Sequence, residues 1–142
     1  PYLPAGTLRD ELLYPHRDAQ RSEDELREAL GAVGLAELPE RAGGFDVQQP
    51  WEALLSSGEG QRLALARLLL ARPRYAILDE ATSALEPADE GALYRLLRAR
   101  AVTLVTVGHR SSLAAHHDRG LLIQAGKAIA TSPQQAFAQE AS

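Results

Sequence analysis

Apolar and polar positions change rhythm once along the chain, near Pro73. Before it, apolar residues recur at helical spacing and are cut by Pro and Gly. Ser22 followed by Glu25 is a capping-box pattern, so a helix is expected from there to about Leu30. Gly31, Gly34 and Pro39 should close it, and residues 41–50, with Gly43-Gly44 and Pro50, read as irregular surface loop. A second helix should start at Ser57 or Gly58 and run through Leu70 until Pro73, which cannot continue it. Its apolar positions nearly encircle it, which implies burial.

Beyond Pro73 the rhythm becomes strand, helix, strand. Tyr75-Ala76-Ile77-Leu78 and Val102-Thr103-Leu104-Val105-Thr106-Val107 are short apolar runs separated by a helix-length segment, residues 87–100. That is the pattern of a βαβ unit with parallel strands, and continuous apolarity predicts strands buried on both faces. A short helix over residues 111–116 comes next, then strands at 120–124 and 127–130 joined by Ala125-Gly126, then a helix from Pro133.

Composition narrows the class. A chain of 142 residues, 45% of them hydrophobic, suits one globular domain with an ordinary core. A net charge of -4 and a pI near 5.6 give no global attraction to nucleic acid or to an anionic membrane. With no cysteine there is no disulfide framework and no thiolate zinc site, and cytosolic exposure is the default expectation. The longest apolar stretch, residues 63–71, is broken by Arg67 and falls far short of the ~20 residues of a membrane-spanning helix. No secretory leader is visible.

Three features carry candidate chemistry. The first strand leads into Asp79-Glu80, placing two carboxylates at the C-terminal end of a parallel strand, where open α/β sheets bind ligands. In phosphoryl transfer one acidic group helps hold Mg²⁺ while another positions or activates the attacking water; a solvated strand end is the plain alternative. Ser56-Ser57-Gly58-Glu59 stands ahead of the buried helix, whose N-terminal amides suit a phosphate; an ordinary Ser N-cap is the plain alternative. Gly108-His109-Arg110 comes directly after the second strand, so His109 should emerge at the same sheet edge as Glu80.

Taken together, Leu55-Ser56-Ser57-Gly58-Glu59 resembles the signature motif of ABC ATPases, residues 75–80 their Walker B motif, Ser83-Ala84-Leu85-Glu86 their D-loop and Gly108-His109-Arg110 their H-loop. The four occur in family order and at family spacing. Pro1-Tyr2-Leu3-Pro4-Ala5-Gly6-Thr7-Leu8-Arg9, Trp51 and His116-His117-Asp118-Arg119 resemble the exporter-type branch that includes peroxisomal fatty-acyl transporters and bacterial relatives. The resemblance implies an α/β chain with a partial P-loop NTPase fold, a parallel sheet with flanking helices. Residues 1–72 would be the ABC helical subdomain and signature helix, and residues 73–142 the C-terminal part of a RecA-like ATPase core.

The same resemblance implies ATP and Mg²⁺ as cofactors. Asp79 would hold Mg²⁺ through water, Glu80 would be the general base, and His109 would contact the γ-phosphate. The signature residues Ser56, Ser57, Gly58 and Glu59 would close over an ATP held by the opposite subunit, with Ser56 and Gly58 in contact. Ala84 and Leu85 would lie in the nucleotide-binding set and communicate between the two sites. Implied partners are a second nucleotide-binding domain, head to tail, and the transmembrane domain of a transporter, with no nucleic acid. The implied location is the cytoplasmic face of the cell membrane.

Departures from the family pattern also carry expectations. The phosphate-binding loop has the pattern Gly-x-x-x-x-Gly-Lys-Ser/Thr. The single lysine, Lys127, comes after Gly126, but the first Gly would fall at Leu121 and Ala128 stands where the hydroxyl belongs, so this reads as a hairpin turn. By the resemblance the chain begins just after the Q-loop glutamine, and these residues alone should be inactive. A sheet lacking its N-terminal strands should expose an apolar face and favour association. Ser57 replaces the usual signature Gly, Glu86 replaces the usual D-loop Asp, and Gly60 should cost its helix roughly 1 kcal/mol relative to Ala. His116-His117-Asp118 is not expected to bind metal, because adjacent side chains diverge. Arg95, Arg98 and Arg100 read as a solvated helix face balanced by Glu86, Asp89 and Glu90. The alternatives are a soluble ABC ATPase acting on the ribosome or DNA, which transmembrane helices encoded upstream would exclude, and an inactive binding module presenting only a signature face.

Overall fold

Side-chain capping marks where three of the helices begin. The computed structural model describes Leu3 and residues 5–138; Pro1, Tyr2 and Pro4 of the exporter-like stretch lie outside the described residues, as do residues 139–142. Strand β1 (Gly6–Thr7) leads into helix α1 (Leu8–Leu13), followed by α2 (Glu23–Ala32), α3 (Leu38–Arg41), β2 (Gln48–Gln49), α4 (Trp51–Leu54) and α5 (Ser57–Ala71). Thr7, Ser22 and Ser56 cap α1, α2 and α5, each in a box closed by the acid three residues on, Asp10, Glu25 or Glu59.

Two sequence expectations change here. Gly31 does not close α2 but sits inside it, and the helix ends at the Val33 cap. Residues 41–50 are not wholly irregular, because β2 pairs antiparallel with β1 through Gly6↔Gln49 and Thr7↔Gln48. Trp51 comes soon after, buried, and its Nε1 donates to the Gly6 carbonyl at 2.9 Å. Helix α5 packs against α1 and α2 and buries Leu63, Leu65, Ala66, Leu69 and Leu70. It stops where Arg72 turns into the left-handed region at φ 47° ahead of Pro73.

The second half contains β3 (Tyr75–Asp79), α6 (Pro87–Ala99), β4 (Thr103–Val107), a 3₁₀ turn (Ser111–His116), β5 (Gly120–Gln124), β6 (Lys127–Thr131) and α7 (Pro133–Ala138). Strands β3 and β4 are parallel, in register from Tyr75↔Thr103 to Asp79↔Val107. The structure is thus the α/β arrangement expected, with a small parallel sheet. Burial of the strands on both faces is not observed. Ala76 and Leu78 join the core that holds Leu93 and Leu97, while Ile77 is 77% and Val105 51% exposed. Side chains alternate across a strand, so each face needs its own covering layer, and among the described residues only one face has it.

Strands β5 and β6 form an antiparallel hairpin turning at Ala125 and Gly126, both with positive φ. Lys127 therefore opens a strand, as the turn reading required. Arg98 of α6 and its C-cap Arg100 find partners outside that helix: Arg98 pairs with Asp118 at 3.1 Å and Arg100 with Glu28 at 3.5 Å, not with Glu86, Asp89 or Glu90. Gly60 is buried in the first turn of α5, and nothing in the structure explains its selection there.

Candidate functional site

Parallel pairing of β3 with β4 delivers Asp79-Glu80 and Gly108-His109 to one edge of the sheet. His109 Nε2 lies 3.1 Å from Glu80 Oε1, with both side chains open to solvent. At Gly108 a Cβ would sit 2.7 Å from Leu113 Cδ1, so a larger residue there would have to displace that side chain. Glu80 itself is held at φ 50°, a left-handed conformation that costs a non-glycine residue roughly 1–2 kcal/mol. Three bonds impose it: Glu80 N–H donates to Val107 O at 3.0 Å, and Glu80 O accepts from Ser83 N at 3.3 Å and Ser83 Oγ at 2.9 Å.

Asp79 is exposed beside this pair and, among the described residues, makes no side-chain hydrogen bond or ion pair. No group of three or more His, Cys, Asp or Glu capable of holding a metal occurs among the described residues. A Mg²⁺ carried on nucleotide phosphates needs only one or two protein carboxylates, and a lone strand-end Asp79 fits that requirement.

The second group of candidate residues opens α5. Ser56 Oγ accepts from Glu59 N at 3.2 Å, and Glu59 Oε2 accepts from Ser56 N at 2.9 Å. Arg41 pairs with Glu59; this bond, together with the Ser56 amide, holds the Glu59 carboxyl down at about 2. The side chains of Ser56 and Glu59 thus serve the cap itself. The first-turn amides of Ser57 and Gly58 have no intrahelical acceptor and remain to meet an anion.

The two groups meet through the turn after Glu80. A Cβ on Gly58 would lie 3.6 Å from Ala84 Cβ, and Ser83 Oγ lies 3.3 Å from Gln61 Oε1. Leu85 is buried at the end of that turn. Arg110 grips the same turn, donating to Leu85 O at 2.9 Å and Ser83 O at 2.8 Å. The sequence marks Arg110 only as a motif member, and it does not single out Gln61 or Glu90 as parts of the site. Glu90 had a signal: it shares its helical stripe with Leu93, Tyr94 and Leu97, where a carboxyl must be buried.

His116, His117 and Asp118 each engage a different neighbour. The His116 ring stacks on Tyr94 with centroids 5.0 Å apart, His117 Nε2 meets Thr106 Oγ1 at 2.9 Å, and Asp118 pairs with Arg98.

Comparison with known proteins gives a consistent answer. The family model described as ABC transporter matches residues 2–83. An uncharacterized ABC transporter ATP-binding protein of Synechocystis is 47% identical over 125 residues, which is 88% of this chain and 19% of that protein. Human ATP-binding cassette sub-family D member 3 is 46% identical over 123 residues, covering 83% of this chain and 19% of its own length. A bacterial Atm1-family ABC exporter, solved with ATP bound, matches with a TM-score of 0.74 and 28% identity over 95% of this chain and 24% of that one. The chain spans about a fifth of the length of these curated relatives, at 19% in each case. No helix among the described residues is long and apolar enough to cross a membrane. The chain belongs to the ABC transporter family and carries part of an exporter-type ATP-binding domain.

Proposed function

We propose that these residues form the hydrolytic and signature parts of an ATPase that drives a membrane transporter, with the phosphate-binding loop contributed from outside residues 1–142. Residues 1–72 act as the helical and signature unit and residues 73–142 as part of the ATPase core. The observation that carries this reading is the Glu80–His109 pair at 3.1 Å on the C-terminal edge of two parallel strands, with Asp79 beside it.

In this reading Glu80 accepts the proton of a water as its oxygen attacks the γ-phosphorus and the bond to the β,γ-bridging oxygen breaks. His109 orients the Glu80 carboxylate through Oε1, leaving Oε2 for the water, and contacts the γ-phosphate. Asp79 holds Mg²⁺, which neutralises charge on the phosphates when bound. Ser56, Ser57, Gly58 and Glu59 present the N-terminus of α5 to a nucleotide on a second nucleotide-binding domain. Ala84 and Leu85 sit between the two sites. The assembly works at the cytoplasmic face of the membrane.

The test uses the full-length protein and then the 142-residue chain. In the full-length protein Glu80→Gln should lower Mg-ATP hydrolysis about 100-fold or more; unchanged turnover would overturn the assignment. Calorimetric titration of the 142-residue chain with Mg-ATP should show no saturable binding. Micromolar binding, with hydrolysis abolished by Glu80→Gln, would mean that the chain builds a working site without the usual loop.

A further inference from the structure

Glu80 and His109 stand on separate segments; the strand register ends at Asp79↔Val107, and one further backbone bond, Glu80 N–H to Val107 O at 3.0 Å, ties Glu80 to the neighbouring strand. The two segments beyond these residues must therefore be fixed by something other than the sheet. Glu80 itself opens its turn at a strained φ of 50°, and the segment after His109 leaves the sheet for a 3₁₀ turn.

Glu90 provides the fixing point. It lies on α6, is 1% exposed, and its carboxyl group receives a bond from both segments. Thr82 Oγ1, two residues beyond Glu80, donates to Oε2 at 2.8 Å. Ser112 Oγ, three residues beyond His109, donates to Oε1 at 3.0 Å. Arg110 Nη1, next to His109, stands 3.6 Å from Oε2. The guanidinium then reaches onward, with Nη1 donating to Leu85 O at 2.9 Å and Nη2 to Ser83 O at 2.8 Å. Ser83 in turn donates to Glu80 O at 2.9 Å, which closes the circuit on the residue whose backbone is strained.

A buried carboxyl group with no arginine opposite it is costly to keep in a core, and an arginine spanning two carbonyls is a fork that a point charge does not replace. We infer that Glu90 and Arg110 are a pair of positioning residues that set the Glu80–His109 separation and, through the Ser83 and Leu85 carbonyls, the shape of the turn facing Gly58. Neither touches the reacting atoms. This rests on the reading of Glu80 and His109 given above. It predicts an effect on turnover, since a misplacement of about 1 Å at a reacting group costs on the order of 100-fold in rate.

The experiment measures kcat and KM for Mg-ATP and the melting temperature of the full-length protein, for Glu90→Gln, Arg110→Lys and the double variant, beside Glu80→Gln. Glu90→Gln keeps the shape and one accepting oxygen, turns the other oxygen into an N–H donor so that one hydroxyl must reverse its bond, and loses the charge opposite Arg110. Arg110→Lys keeps the charge but loses the fork. Each single variant should lower kcat about 10- to 100-fold with KM nearly unchanged and the melting temperature retained. The double variant should be no worse than the poorer single one, because the pair acts as a unit. Additive losses, or a lower melting temperature with kcat intact, would overturn the inference. If Glu90→Gln fails to fold, Arg110→Lys decides alone: a kcat within twofold of the parent overturns the proposal. If Glu80→Gln retains activity, the functional reading fails first; if Glu80→Gln is dead while both positioning variants are normal, only the positioning role fails.

Discussion

Helices before Pro73 and strands after it hide their apolar residues differently. In residues 6–71, Leu8, Leu12, Leu26, Leu30, Trp51, Leu63 and Leu69 are all buried, and the helices that carry them close on one another. In residues 75–138, Tyr75, Ile77, Val105, Val107, Leu121 and Ile123 are exposed even though they lie in regular, well-paired strands. The difference lies in geometry and not in hydrophobicity. A helix has one apolar stripe that a neighbouring helix covers, whereas a strand turns successive side chains to opposite faces and needs two layers. The helices and the inner face of the strands therefore share one core, and the outer strand face is left open, on the same element that carries the Glu80–His109 edge.

Stability should accordingly reside in the first region. Trp51→Ala removes the largest buried side chain there and its bond to the Gly6 carbonyl, so urea unfolding of the chain should show a loss of about 4 kcal/mol. A much smaller loss would mean that the helical core is not what holds the fold. Arg67→Met comes next. Arg67 Nη2 meets the fully buried Glu11 Oε2 at 2.5 Å, and its loss should cost about 3 kcal/mol at neutral pH by stranding that carboxyl. Burial already pushes Glu11 up from 4.5, a shift that favours the fold below that pH and is lost as the pH rises through its folded value. The penalty of Arg67→Met should therefore shrink near pH 4.5, and a penalty constant with pH would locate the effect in packing and not in charge.

The junction between the regions gives smaller effects. Ser56→Ala should cost about 1 kcal/mol by removing the cap of α5. The Glu59 carboxyl is depressed from 4.5 to about 2 by Arg41 and then by the Ser56 amide. Its stabilisation is present above pH 4.5 and fades as the pH falls towards 2, so Glu59→Gln should flatten that part of the acid unfolding curve. On the open face, Ile77→Thr should change unfolding free energy by less than about 0.5 kcal/mol while reducing self-association in sedimentation. A loss of about 2 kcal/mol or more, on the scale of a buried side chain, would show that this face is covered in solution.

Much of this was legible in the chain itself. Ser22 with Glu25 announced α2, Pro73 ended α5, and the apolar runs at 75–78 and 102–107 marked two parallel strands, because capping, ring closure and side-chain period act within a few residues. The β1–β2 pair was not legible, since two-residue strands have no period to read and are fixed by Trp51 reaching Gly6. The strand-end position of Asp79, Glu80 and His109 came from the same local rules, and the parallel register then brought Glu80 and His109 within 3.1 Å. Three things belonged to the tertiary structure alone: which strand face stays uncovered, that Gly58 meets Ala84, and that Glu90 gathers Thr82, Ser112 and Arg110 into one buried site. Each depends on segments far apart in sequence arriving at one place, and that arrival is set by how whole layers pack and not by any residue's local preference.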